Sequence, residues 1–219
     1  MTWVAVENSP LLTAGLLVTA LQFTACITAE VREVRSNPPS IGQDEALAIV
    51  VSYEARDLES AAVRCISEAV TKAYPSVRIV LPDEFRRVAF PDLPPEGSPY
   101  SSEYLALLLN DPRFLERIAP LRLRYLFSVS GVTEQGVVGA GAGGPAGLIV
   151  WDRSTRLTAS VLDLKQAQPA GDLQASVSGN PWVLIVGGLP LGIPSMTESQ
   201  ACEDLGKSVT KFLGGNIAP

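Results

Sequence analysis

The sequence predicts an α/β domain: a mixed sheet of about five strands with two long helices on one face. Three observations predict it. The run "ALAIVVSY", Ala46–Tyr53, is continuously apolar and β-prone, as in a strand buried on both faces. An amphipathic helical stretch and a second β-prone run, "SVRIVL" at Ser76–Leu81, follow it, which makes a crossover unit with a parallel strand pair. The chain then closes on another long amphipathic helix after several alternating, β-prone segments.

Taken in order, the first helix is capped by Asp57 and presents Leu58, Ala62, Cys65, Ile66, Ala69, Val70 and Ala73 on one stripe, before Pro75 stops it. Pro82 opens a short helix through Phe85 and Val88. A loop stiffened by Pro91, Pro94, Pro95 and Pro99 leads to helices around Tyr104–Leu109 and Phe114–Ala119. "RLRYLFSVSGV", Arg122–Val132, reads as a strand and the glycine-rich stretch after it as a turn. "GLIVWD", Gly147–Asp152, and "RLTASVLDLK", Arg156–Lys165, read as a hairpin turning at Ser154-Thr155, and "LQASVSG" as a further short strand. Thr197 and Gln200 have capping-box spacing at the start of the final helix, whose stripe is Cys202, Leu205, Val209, Phe212 and Leu213, and Gly214-Gly215 ends it.

Before this domain, which spans residues 45–215, the chain has a different character. No charge occurs from Leu11 to Ala29, and the apolar part, Leu11 to Phe23, has the length of a signal-peptide core. "Phe23-Thr24-Ala25-Cys26" resembles a bacterial lipobox, which implies a signal peptide over residues 1–25 and a lipid-modified Cys26. Phe23 stands where Leu is usual, and no Lys or Arg precedes the apolar run. An uncleaved anchor ranks second and a buried core helix third. Residues 26–44 read as a flexible tether, whose 18 residues from Ile27 to Asp44 would extend roughly 60 Å.

Composition excludes several chemistries. The 219 residues contain no histidine, which removes Ser-His-Asp and Cys-His nucleophiles and most zinc sites. Seventeen basic and 23 acidic side chains give a net charge of −6 without any basic run, so nucleic acid is not an expected partner, and no cofactor is expected. "GAGAGG", Gly139–Gly144, matches a dinucleotide fingerprint but precedes a strand-like segment, so a loop is expected. "GKS", Gly206–Ser208, lacks the upstream glycine of a phosphate loop, since Ala201 stands there. Asp83 and Glu84 follow a strand end, where they could serve as acid and base, although charge matching to a helix start explains them more simply. Asp152 and Asp163 read as turn or surface charges.

Two expectations remain. Cys65 and Cys202 lie on the apolar stripes of helices assigned to one face, so a disulfide between them is expected if the leader exports the chain to an oxidising compartment. "NPWVLIVGGLPLGIP", Asn180–Pro194, carries no charge. It is read as an apolar stretch outside regular structure, with Trp182, Leu184, Leu189 and Leu191 as the candidate contact surface.

"ALAIVVS", "ESAAVRCISEAV", "SVRIVLPDEF", "RYLFSVSG" and "GLIVWDRSTRLTASVLDLK" occur in an order that resembles the amino-terminal domain of TolB and related domains of curli-secretion and penicillin-binding-protein-activator lipoproteins. The likeness covers roughly Ala46 to Lys165, as an arrangement of elements. It implies a non-enzymatic module, lipid-anchored on the periplasmic side of the bacterial outer membrane, whose partners are other envelope proteins. The alternative is a carboxylate-dependent hydrolase or small-ligand binder using Asp83 and Glu84.

Overall fold

Polar, charged residues of the expected tether open the described part of the chain. The computed structural model describes residues 28–35, 41–42, 44–52, 56–93, 101–143, 146–186, 189–193 and 196–214. In chain order the elements are β1 (Thr28–Arg35), β2 (Ala46–Val51), α1 (Arg56–Ala73), β3 (Arg78–Val80), α2 (Pro82–Ala89), α3 (Ser102–Leu108) and α4 (Pro112–Ile118). After a 3-10 turn come β4 (Leu123–Gly143), β5 (Ala146–Asp163), β6 (Gln168–Gly179), β7 (Trp182–Val186), β8 (Leu189–Ile193) and α5 (Thr197–Gly214).

The fold is mixed α/β. The sheet has eight strands rather than five, in the order β1-β6-β5-β4-β2-β3, with β7 added to β5 and β8 to β7. β2 pairs in parallel with β3 and β4, as expected of a crossover, and the other pairs are antiparallel. All six residues of β2 are buried, because both of its faces are covered. Leu47, Ile49 and Val51 pack with Tyr125, Phe127, Leu157 and Leu173 beneath α1 and α5. Ala46, Ala48 and Val50 face the opposite layer with Phe85, Leu105, Phe114 and Ile118 from α2, α3 and α4. The two long helices therefore share one face, and the short helices cover the other face of the parallel part.

The disulfide between Cys65 and Cys202 is present, with Cα atoms 5.9 Å apart. One turn further on, α5 has Gly206, where an added Cβ would lie 3.0 Å from the Ala69 Cβ and 3.2 Å from the Cys65 carbonyl oxygen. The glycine of "GKS" thus lets two helix backbones approach closely enough for the bond.

Six sequence expectations are corrected. Thr28–Arg35, within the expected tether, is an edge strand paired antiparallel to β6. Its place is secured by Arg35, which donates to the Lys211 carbonyl (2.8 Å) and lies over the Phe212 ring. Gly171 admits it, since a Cβ there would meet the Val34 carbonyl oxygen at 2.3 Å. Ser154-Thr155 is not a turn: β5 runs unbroken for 18 residues, because the pair offers neither glycine nor proline and Thr favours extended backbone. "GAGAG" is strand, not loop, with every residue from Gly139 to Gly143 paired to β5. Asn180–Pro194 contains a regular hairpin, β7–β8. At helix starts, α1 begins at Arg56, so Asp57 lies within it. Gln200 does not complete a capping box, because its side chain bonds Asp204.

An uncharged β arm as the candidate functional site

β4 and β5 outrun the body that they help to build. Pairing of β2 with β4 ends at Val129, and pairing of β6 with β5 at Arg153. Past that level the two strands continue together from Gly136↔Asp152 to Gly143↔Ala146. Seven residues at ~3.4 Å each give an arm of about 24 Å. β7 joins the free side of β5, and β8 joins β7. The product is a four-stranded antiparallel sheet, β4-β5-β7-β8, with no charged residue from Gly136 to Val150 or from Trp182 to Ile193.

The register sorts these residues. Val150 pairs with Trp182 and Trp182 with Ile193; Leu148 pairs with Leu184 and Leu184 with Leu191; Val186 pairs with Ala146 and Leu189. Directly paired residues share a face. Trp182, Leu184, Leu189 and Leu191 thus belong to one face, together with Leu148, Val150, Val186 and Ile193. Leu148 is 41%, Val186 44% and Leu189 71% exposed. The side chains of Leu191 and Ile193 lie outside the described part of the structure, and only their register places them. The other face holds Ile149, Val183 and Ile185, so both faces are apolar. β4 contributes small residues, and Gly139 and Gly141 have open space where a side chain would go.

A polar network holds the base of the arm. Arg153 donates to the Glu198 carboxylate at 2.6 Å, which also accepts from the Thr133 hydroxyl at 3.3 Å. The Thr133 and Thr155 hydroxyls are 3.1 Å apart, and the buried Thr155 donates to Thr197 at 3.0 Å. The first turn of α5 is thereby fastened to β4 and β5 where they leave the core. The Trp151 backbone N–H donates to the Pro181 carbonyl at 3.0 Å and ties the two hairpins together.

The other candidate residues do not converge. Asp83 is exposed in the first turn of α2, and Glu84 is paired with Arg78, so the structure does not assemble them into a cleft. A cleft of about 400 Å³ lies at the opposite end of the sheet, lined by Ile41, Gly42, Glu45, Arg124, Lys165 and Gln166. Next to it Arg124 and Asp163 form a buried ion pair at 2.7 Å, and Asp163 also accepts the backbone N–H groups of Lys165 and Gln166. The turn reading of Asp163 holds, but it is buried rather than on the surface. Burial works against the charge on Arg124; Tyr125 first, and then Asp163, outweigh it and raise its pKa. Asp152 is exposed on the arm's base. Cys26 and the expected leader lie outside the described residues.

Among the described residues no group of three or more His, Cys, Asp or Glu side chains is placed to hold a metal. No described helix is long and apolar enough to cross a membrane, which leaves strands unaddressed.

The sequence contained the signal for the arm in two uncharged stretches rich in valine, isoleucine and leucine. Their glycines and prolines read as loop and hid it.

No protein-family model matches the chain, and no curated protein matches it. Among solved structures it is similar to the PelC dodecamer from Paraburkholderia phytofirmans at 15% identity, over 86% of this chain and 100% of that one, with a TM-score of 0.41. It is also similar to a neuraminyllactose-binding hemagglutinin homolog from Helicobacter pylori at 8% identity, over 81% of this chain and 89% of that one, with a TM-score of 0.41. At these values neither likeness bears on function.

Proposed function

We propose that the protein is a membrane-tethered periplasmic lipoprotein that acts as a non-enzymatic interaction module in envelope assembly or secretion, with the β arm as its contact element. One observation carries this reading: a four-stranded sheet, free of charge on both faces, stands clear of the core with Leu148, Val186 and Leu189 exposed. An ordinary surface sheet keeps one face polar. A sheet apolar on both sides needs an apolar neighbour on both sides, because large exposed apolar patches are costly in water and mark contact sites. The disulfide supports an oxidising compartment. The engagement of Glu84 by Arg78 and the exposure of Asp83 support the interaction module over the carboxylate-dependent alternative.

The test places a photo-crosslinking residue at Leu189 on the arm, or at Leu107 on α3 as a control of similar exposure (69%). In intact cells, position 189 should yield discrete adducts with envelope components and position 107 none. Equal labelling from both positions, or no adduct from 189, would refute the reading.

A further inference from the structure

We infer that the cleft at the end of the sheet opposite the arm binds a small zwitterion, an α-amino acid with an aliphatic side chain. Arg124 and Lys165 hold its carboxylate, and Glu45 holds its ammonium. The site shares no residue with the arm or with Asp83 and Glu84, so it stands independently of the contact reading.

The cleft's volume, about 400 Å³, lies within the range of small-molecule sites. Two turns frame it. In one, the Gly42 N–H donates to the Glu45 carboxylate at 2.7 Å, and the Glu45 N–H donates to the Gly42 carbonyl at 3.2 Å. These reciprocal bonds fix the Glu45 side chain. In the other, Asp163 accepts the N–H groups of Lys165 and Gln166 at 3.0 and 2.9 Å. The Leu164 N–H donates to the Arg124 carbonyl at 3.0 Å and joins this turn to the start of β4. The frame is therefore formed by the chain itself, before any ligand arrives.

The charges in the cleft specify the ligand. Arg124 lines it yet is only 8% exposed, and arginine is rarely so buried unless it is paired. Its bond to Asp163 uses Nη2, while the buried Nε–H has no acceptor among the described residues. A buried donor left unpaired is costly and points to an acceptor that the chain does not supply. Lys165 has a side chain 70% exposed, and its ammonium lies 3.8 Å from a Glu45 oxygen. That separation is beyond hydrogen-bond length, and so exposed a pair contributes little, so a ligand can part the two easily. A lone anion in this space would meet the Glu45 charge, and a lone cation would meet Arg124 and Lys165. A carboxylate and an ammonium on one carbon satisfy all three. Ile41 gives the wall an apolar side chain, which suits an aliphatic amino acid.

Calorimetric titration of the full chain with L-leucine, 4-methylpentanoate and 3-methylbutylamine tests this. The second compound is leucine without its ammonium, and the third is leucine without its carboxylate. Leucine should bind saturably, and each analogue at least about ten-fold more weakly, because each leaves a charged group of the cleft unpaired. Glu45→Gln and Lys165→Gln should each weaken leucine by about ten-fold or more, with Cys65–Cys202 still formed and the melting temperature little changed. Glu45→Gln should also bring 4-methylpentanoate level with leucine, since the group that tells them apart is gone. Lys207→Gln, on the exposed side of α5, should leave all three titrations unchanged.

No saturable binding of leucine, isoleucine, valine or alanine up to about 10 mM would overturn the site. Binding of 4-methylpentanoate to the unsubstituted chain as tightly as leucine would overturn the zwitterion. Leucine binding untouched by both Glu45→Gln and Lys165→Gln would lie elsewhere on the molecule and overturn the assignment to this cleft.

Discussion

Reduction of the Cys65–Cys202 bond should remove a large share of the stability of the domain. The bond closes 137 residues of chain, from α1 to α5. In the chain-entropy treatment, a loop of that length restricts the unfolded state by about 17 cal/mol/K, or ~5 kcal/mol at 25 °C. Domains are stable by roughly 5–15 kcal/mol, so the effect is between a third and all of the total. The reduced protein keeps its native packing: Cys202 is 7% exposed within the main core, and Gly206 still lies against Ala69. Urea denaturation with and without reductant isolates the crosslink. At a slope of ~3 kcal/mol/M, the midpoint should fall by about 1.5–2 M. The Cys65→Ala/Cys202→Ala variant should fall somewhat further, since it also loses the packing of the buried Cys202 and the half-buried Cys65. A reduced midpoint within about 0.3 M of the oxidised one would refute the reasoning, since the loop constraint would then contribute almost nothing.

Asp163→Asn leaves the Arg124 guanidinium buried opposite a neutral partner and should destabilise the fold by ~3–5 kcal/mol, whereas a paired apolar replacement of both residues should cost far less, as thermal melts would show. Gly206→Val forces α5 away from α1, for a loss of ~1–3 kcal/mol and slower acquisition of the Cys65–Cys202 bond during refolding, followed by thiol trapping. Asp83→Asn with Glu84→Gln should change stability by only ~0.3–1 kcal/mol and leave the cellular phenotype near wild type; loss of function in a folded protein would restore the hydrolase alternative.

The parts of the fold that could be read in advance are those in which one physical signal dominates. Ala46–Val51 is apolar at every position because both of its faces are covered, and α1 and α5 show their stripes because each has one buried side. The pairing of Cys65 with Cys202 followed from those stripes and the shared face. Where two signals compete, the reading failed. Gly139 to Gly143 have the composition of a loop, yet the cross-strand bonds to Ala146–Val150 hold them extended. Ser154 and Thr155 look polar enough for a turn, but Thr155 is fully buried and bonded to Thr197. β1 was hidden because an edge strand with alternating charges has the composition of a linker. Its pairing depends on Gly171 and Lys211, more than a hundred residues away.

The register of β1 has a mechanical consequence. Thr28 pairs with Ser178, beside the end of β6 from which the chain passes into β7, whereas Arg35 lies at the far end against Gly171. Cys26 precedes Thr28 by two residues, a reach of about 7 Å. A lipid on Cys26 would thus be attached within two residues of β1, at the corner of the sheet from which the arm departs. The domain would stand end-on to the bilayer, with the arm's root held near the headgroups and the Arg124 cleft turned outward. Orientation would then follow from a single covalent attachment and one strand pairing, without a second membrane contact.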